Sequence, residues 1–334
     1  MRMFPEIPLR DWVDTKETLH RFLQVVGKIR LTSAPRRNHF WNAPFHLCGY
    51  GITTRPMGLV DGNTVFTVDF DFVDHLLVAR TVDGRTASFL LPGHSVSTFY
   101  REVLATLDGL GVHARIPDPR PSGLPDSHRL FVEDVEHAHY DPQAVHRYWR
   151  VLSEVGMVLE AFAADFSGKT SPVHHAWHAF DISVTRYGDR AVDQPRDAGP
   201  LVREAHSREA ICFGFSFGDD GTFEEPAFYS RMVPERAGLA DRPLPNGAGW
   251  FTTAEGRIAA LPYADARRAP DPRSAVRAFY EAAYEAAAEL LAWDRAALAS
   301  PGGVTDPHHP TSWPGKTRRL AVGGAYGGWA DGDA

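Results

Sequence analysis

Between Ser171 and Gly188 the chain reads SPVHHAWHAFDISVTRYG, which places His174, His175 and His178 within five positions, Trp177 among them, and Asp181 three residues further on. Imidazole offers two chemistries. Neutral, it ligates iron, zinc, copper or nickel while a nearby carboxylate completes the shell or orients the ring. Without metal it titrates near neutrality, and a carboxylate beside it tunes a proton-transfer group. On a helix His174, His178 and Asp181 would stand at i, i+4 and i+7 on one face, the two-histidine, one-carboxylate set of non-haem iron sites. FDISVTRYG, however, alternates and is β-branched, which predicts a strand entered near Ala179 and sends His178 and Asp181 to opposite faces. A histidine beside a tryptophan can also be a hydrogen-bonded wall of an aromatic core.

The elements that must hold these residues read as one unit written twice. TKETLHRFLQVVGKIRLT puts Leu19, Phe22, Leu23, Val26 and Ile29 at helical spacing, predicting a helix with one buried face. The prolines and aromatics of SAPRRNHFWNAPFHLCGYGITTR follow, then strands VFTVDFDF, HLLVART and TASFLLP, then a serine-capped helix SVSTFYREVLATLDGLGV. Asp69 and Asp71 fall on one strand face, read as the solvent face. The second half repeats that order. DPQAVHRYWRVL echoes LHRFLQVV behind an aspartate cap and a first-turn proline, SVTR echoes ITTR, GWFTTAEGRIAALP resembles the TVDGRTASFLLP turn, and SAVRAFYEAAYEAAAELLAW matches the helix around its Phe-Tyr pair. The expected organisation is a first unit at 1–113, a Pro-rich surface linker at 114–140, a second unit at 141–299 with an insertion at about 188–226, and a flexible Gly/Pro-rich tail at 300–334. His308 and His309 in that tail read as incidental.

Duplication suggests a site assembled from both halves. If the units pack about a pseudo-twofold axis, NHFWNAPF and VHHAWHAFD face each other across a cleft, bringing His39 and His174 together beside Trp41 and Trp177. Asp181 is the nearest candidate carboxylate; Glu204 and Glu209, expected on an insertion helix LVREAHSREA, are the others. Lys169 in FSGKTSP reads as a solvated loop lysine or an anchor for phosphate or carboxylate.

Other classes find little support. The 334 residues carry a formal net charge of -7, which supplies no attraction to nucleic acid or to anionic membrane. No stretch approaches the ~20 apolar residues of a membrane span, and the N-terminus has no signal-peptide pattern, so a cytoplasmic location is expected. Cys48 and Cys212, the two cysteines, are too few for a disulfide framework or a four-thiolate zinc site. P-loop, nucleophile-elbow, zincin and dinucleotide motifs are absent, so no nucleotide cofactor is expected.

NHFWNAPF, FDFVDHLLVART, FYREV, HAHYD, FSGKTSPVHHAWHAFDISVTR, REAHSREA and EPAFY resemble the recurrent blocks of an uncharacterised bacterial family, domain of unknown function 5996, over most of residues 10–295. That resemblance brings no activity. It implies that His39, Trp41, Asn42, His75, His137, His174, Trp177 and Asp181 stand at family positions, whereas His46, His175 and His178 do not, and that Arg208 stands where the family tends to have histidine. The expectation is an α+β protein of two similar units, each a mostly antiparallel sheet with flanking helices, packed as one body. Its cleft is expected to act on a small molecule, with His39, His174, His178 and Asp181 as ligands of a divalent transition metal, Glu204 and Glu209 as catalytic carboxylates, and Trp41, Asn42 and Trp177 against the substrate; hydrolytic or oxidative chemistry fits. Two alternatives stand beside it: metal-free acid-base catalysis by the same groups, and a non-catalytic binding or scaffolding protein whose His/Trp cluster is core.

Overall fold

Capping signals set where the helices begin. In the computed structural model, which describes residues 3–306 apart from 220, 254 and 255, the Asp141 side chain accepts from the Gln143 amide and Pro142 opens helix α3 (Pro142–Ala164). Ser95 caps α2 (Val96–Gly109) and Asp271 caps α6 (Pro272–Leu290) in the same way. Helix α1 is Val13–Ser33; two short helices, α4 (Pro200–Ala205) and α5 (Tyr263–Arg268), complete the set. Most of the expected tail, with His308 and His309, lies outside the described residues. Its first residues are tied down: the Ser300 amide donates to the Asp165 carbonyl at 2.9 Å and the Gly302 amide to the Asp165 carboxylate at 2.8 Å.

The architecture is α+β, two antiparallel sheets in one body. The first sheet is a meander of β1 (His46–Leu47), β2 (Gly51–Thr53), β3 (Phe66–Asp71), β4 (Leu76–Thr81) and β5 (Thr86–Leu90). The second contains β6 (His174–Ala176), β7 (Asp181–Ala191), β8 (Arg208–Ser216), β9 (Ala227–Val233), β10 (Gly249–Thr253) and β11 (Gly256–Pro262), in the order β10-β11-β9-β8-β7-β6. One antiparallel bridge joins them edge to edge, Phe45 with His175, through two backbone hydrogen bonds of 2.9 Å. Apolar side chains from both units, including Phe22, Phe45, Phe70, Phe99, Tyr148, Phe213 and Tyr280, merge into a single core.

Counted outward from that bridge, the sheets match place for place until the fourth strand. There β9 sits where β4 sits, and β11, which leads into helices as β5 does, takes the fifth place. The hairpin β10–β11 therefore does not copy β4–β5: β10 is an added edge strand. The insertion is also shorter than expected, because FGFS belongs to β8, the third strand of its sheet, which leaves the end of β7 and the segment carrying α4 as the extra material. Nor does LVREAHSREA form one helix. It breaks at His206 and Ser207, the Ser207 hydroxyl capping back onto the Glu204 carbonyl, so Glu204 lies on α4 and Glu209 on β8.

Helix α1 corrects the expectation of one buried face. Its polar residues Lys16, His20, Arg21, Gln24, Lys28 and Arg30 are buried as well. The Pro-rich segment after α2 lies along this polar side as a strap. Gln24 donates to the Ser122 carbonyl at 3.0 Å and accepts from its amide at 2.6 Å, Arg21 grips Asp126 through two nitrogens, and Thr15 bonds His139 at 2.8 Å. Arg21 and Lys28 are carried inside where acids await them, whereas Arg30 meets only the Pro44 carbonyl. Asp69 departs from expectation in the same sense, being buried and paired with Arg80 at 2.6 Å and Tyr50 at 3.2 Å.

Candidate functional site

A cleft of about 490 Å³ opens between the two units. Arg37 and Trp41 of the first unit line one side; Glu160, Thr170, Ser171, Pro172 and Val173 of the second line the other. The loop that delivers Arg37 and Trp41 carries backbone strain, with His39 and Phe40 at φ of 56° and 57°. Asn42, expected against the substrate, holds that loop instead: buried, its side-chain oxygen accepts from the Arg37 amide at 3.2 Å.

Against the Trp41 ring, beside the cleft residue Thr170 and outside the lining itself, lies a hydrogen-bonded pair. Lys169 Nζ donates to His39 Nε2 at 2.7 Å, while His39 Nδ1 donates to the Glu204 carbonyl at 3.2 Å, which fixes the tautomer with its lone pair toward the lysine. The Glu204 carboxylate is occupied by the His39 amide at 3.0 Å. The Lys169 ammonium lies 5.3 Å from the Trp41 ring and 5.4 Å from that of Tyr187, and the His39 ring packs 4.2 Å from Tyr187. Partial desolvation, then the charge of Arg208, lowers the Lys169 pKa; burial, then Lys169 itself, lowers that of His39. At neutral pH the pair is an ammonium donating to a neutral imidazole. Lys169 thus has partners that its surroundings in the sequence do not suggest, although the residue remains exposed.

The proposed metal ligands are not gathered. Counting back from the bridge, the position six before His175 that matches His39, six before Phe45, is Lys169, and the one matching His174 is Pro44. His39 therefore meets Lys169. His174, on β6, donates from Nδ1 to the Pro172 carbonyl at 2.8 Å, and burial pushes its pKa down to about 4. His178 is exposed on the turn, edge-on to Trp177. Trp177 is a core wedge: its indole donates to the Ala43 carbonyl at 3.0 Å, and its ring fills the space where Gly27 lacks a side chain, a Cβ there falling 2.4 Å from Cγ. Glu209 is buried under Arg190 at 2.8 Å and Trp293 at 2.9 Å, a structural knot.

Asp181 shares a sheet face with His174 because β6 and β7 form a hairpin, Ala176 opposite Asp181 and His174 opposite Ser183. Tyr229 crosses from β9 to donate to one Asp181 oxygen, over Gly214 of β8, where any Cβ would lie 2.5 Å from the tyrosine ring. The other Asp181 oxygen has no partner, and burial lifts the carboxyl to about 6. Among the described residues the one group with ligand atoms close enough for a metal is Asp126, Asp134 and His137 on the strap, where the Arg21 guanidinium already pairs with both carboxylates.

Signals for Lys169, Tyr187 and Tyr229 were weak in the sequence. The family block FSGKTSPVHHAWHAFDISVTR contains Lys169 and ends one residue before Tyr187, and the block EPAFY ends on Tyr229. A family model described as a family of unknown function (DUF5996) matches residues 4–300. No curated protein and no solved structure matches the chain.

Proposed function

The chain belongs to the DUF5996 family, of unknown function, and from its own geometry we propose that it is a metal-free acid-base enzyme acting on a small molecule in the inter-unit cleft. The observation that carries this reading is the Lys169–His39 hydrogen bond against the Trp41 ring. No ion pair with a carboxylate neutralises the ammonium among the described residues, and the imidazole beside it is held in the tautomer that can receive its proton. Lys169 as ammonium is a general acid; with its proton passed to His39 it is an amine able to act as base. Trp41 walls the cleft and Asn42 fixes the loop that bears it. A transition metal supplies no step in this reading, because His39, His174, His178 and Asp181 stand in separate surroundings.

A panel of small esters, amides and phosphate esters, screened for turnover with the wild type, Lys169→Met and His39→Asn, tests it. Either substitution is expected to lower kcat/KM by about 100-fold or more, with the melting temperature of Lys169→Met unchanged because that side chain is exposed. Turnover that survives both substitutions, or a wild type that turns over no member of the panel, would contradict the assignment.

A further inference from the structure

Among the described residues, three arginines are buried, and two are provided for. Arg21 holds Asp126 at 2.7 Å and Glu17 at 2.8 Å. Arg186 has a buried Nε without a partner, but it donates to the Phe162 carbonyl, lies 3.8 Å from the Phe162 ring and 4.4 Å from that of Tyr284, and has the counter-charges of Asp165 and Glu281 acting on it. Arg30 differs. Its Nε donates to the Pro44 carbonyl at 2.8 Å, but Nη1 is buried without a partner, and the charges that act on it are those of Arg55 and Arg37.

The same cationic group surrounds His46, which pairs across from Thr53 on the neighbouring strand. His46 is buried, its Nδ1 has no partner, and Arg55, Arg30, His174 and Arg37 all act on it in the same sense, so it stays neutral. Arg55 itself sits at φ 60°, a left-handed backbone held by Thr53 and Thr54 hydroxyls. Arg37 connects this group to the cleft, since it lines the wall beside Trp41. The acid nearby, Glu160 on the opposite wall, is exposed and feels the charge of Arg55, but it makes no ion pair within 4 Å with these arginines. Collecting like charges with no acid paired to them is costly, in a chain whose overall charge is negative at -7. A guanidinium's rigid fork of donors matches planar or tetrahedral oxyanions.

We infer that the cleft takes a small molecule through an oxyanion group, carboxylate or phosphate, bound by Arg37 and Arg55 at the mouth with Arg30 supplying the buried positive charge behind them. This rests on the reading of the cleft as the ligand site and names the substrate class for it. Neutral His46 adds a donor that needs no counter-ion.

The test is calorimetric titration, at ionic strength held constant with chloride, of inorganic phosphate and of succinate into the wild type, Arg37→Met, Arg55→Asn and Lys169→Met. Asparagine at 55 keeps a residue that tolerates the left-handed backbone. Saturable binding of at least one probe to the wild type is expected, weakened about tenfold or more in Arg37→Met and Arg55→Asn, and retained in Lys169→Met. Tighter phosphate binding assigns a phosphorylated substrate; tighter succinate binding assigns a carboxylic acid. Absence of saturable binding of either probe, or equal binding by the arginine variants, would overturn the inference. Anion binding kept while Lys169→Met has no effect on turnover would overturn the catalytic reading alone.

Discussion

Lowering the pH from 7 to 5 is expected to remove at least about 5 kcal/mol of stability and to put the acid-unfolding midpoint between about pH 4 and pH 5. His20, His46 and His175 cause this. All three are buried, and burial first, neighbouring Lys16, Arg55 or His20 next, pushes each down to about 3. In the unfolded chain an imidazole titrates near ~6.5. Below that pH the unfolded state takes up protons that the folded state refuses, so stability present above it is lost as the pH falls toward the folded values. Each ring contributes about 2 kcal/mol of that loss at pH 5, and His174 adds to it in the same direction. Asp181 opposes them. With its folded pKa raised to about 6, it costs stability at pH 7 and returns about 1 kcal/mol as the pH falls to 5. Three histidines outweigh one aspartate. Urea unfolding followed by circular dichroism in half-unit pH steps measures the slope, and His175→Gln should reduce it by about one proton. A free energy of unfolding that stays flat from pH 7 to pH 5 would show that these rings are not held neutral inside the fold.

The two tryptophans that look alike in sequence should separate sharply. Trp177→Ala removes a ring 6% exposed, leaves the Ala43 carbonyl unpaired and opens a void against Gly27. That costs about 4 kcal/mol and lowers the melting temperature by about 10 °C. Trp41→Ala removes a half-buried ring at the cleft wall. It should cost no more than about 1 kcal/mol and abolish the saturable anion binding by exposing the cleft to water. Calorimetric melting of the two variants decides. Equal melting temperatures would mean that Trp177 is not the wedge described, and a Trp41→Ala variant that binds as the wild type does would move the ligand elsewhere.

Elements set by near neighbours are legible in the sequence. The Asp141 and Ser95 caps, the β3–β5 meander and the final helix all follow from residues within a few positions of one another, and the two-sheet arrangement fits the duplicated order. What failed depends on partners far along the chain. Arg21 and Gln24 looked like a solvated helix face because Asp126 and Ser122, which cover them, are 105 and 98 residues away. Lys169 looked free because His39 is 130 residues away. Glu209 was assigned to a helix since charged residues continue past Ala205, but pairing of Arg208–Ser216 with β7 and β9 overrides that local pattern. The two segments do meet at the bridge between Phe45 and His175, which aligns His39 with a lysine, not with a histidine.

The central claim is that Lys169 is a proton-handling group at the cleft. The chain has four lysines, at 16, 28, 169 and 316, so acetylation by trace acetic anhydride, read by mass spectrometry across a pH series, resolves each one. An apparent pKa for Lys169 below that of a free lysine amine near ~10.4, with reactivity that changes in His39→Asn, is the predicted result. A Lys169 that titrates as a free amine and is indifferent to His39 would contradict it.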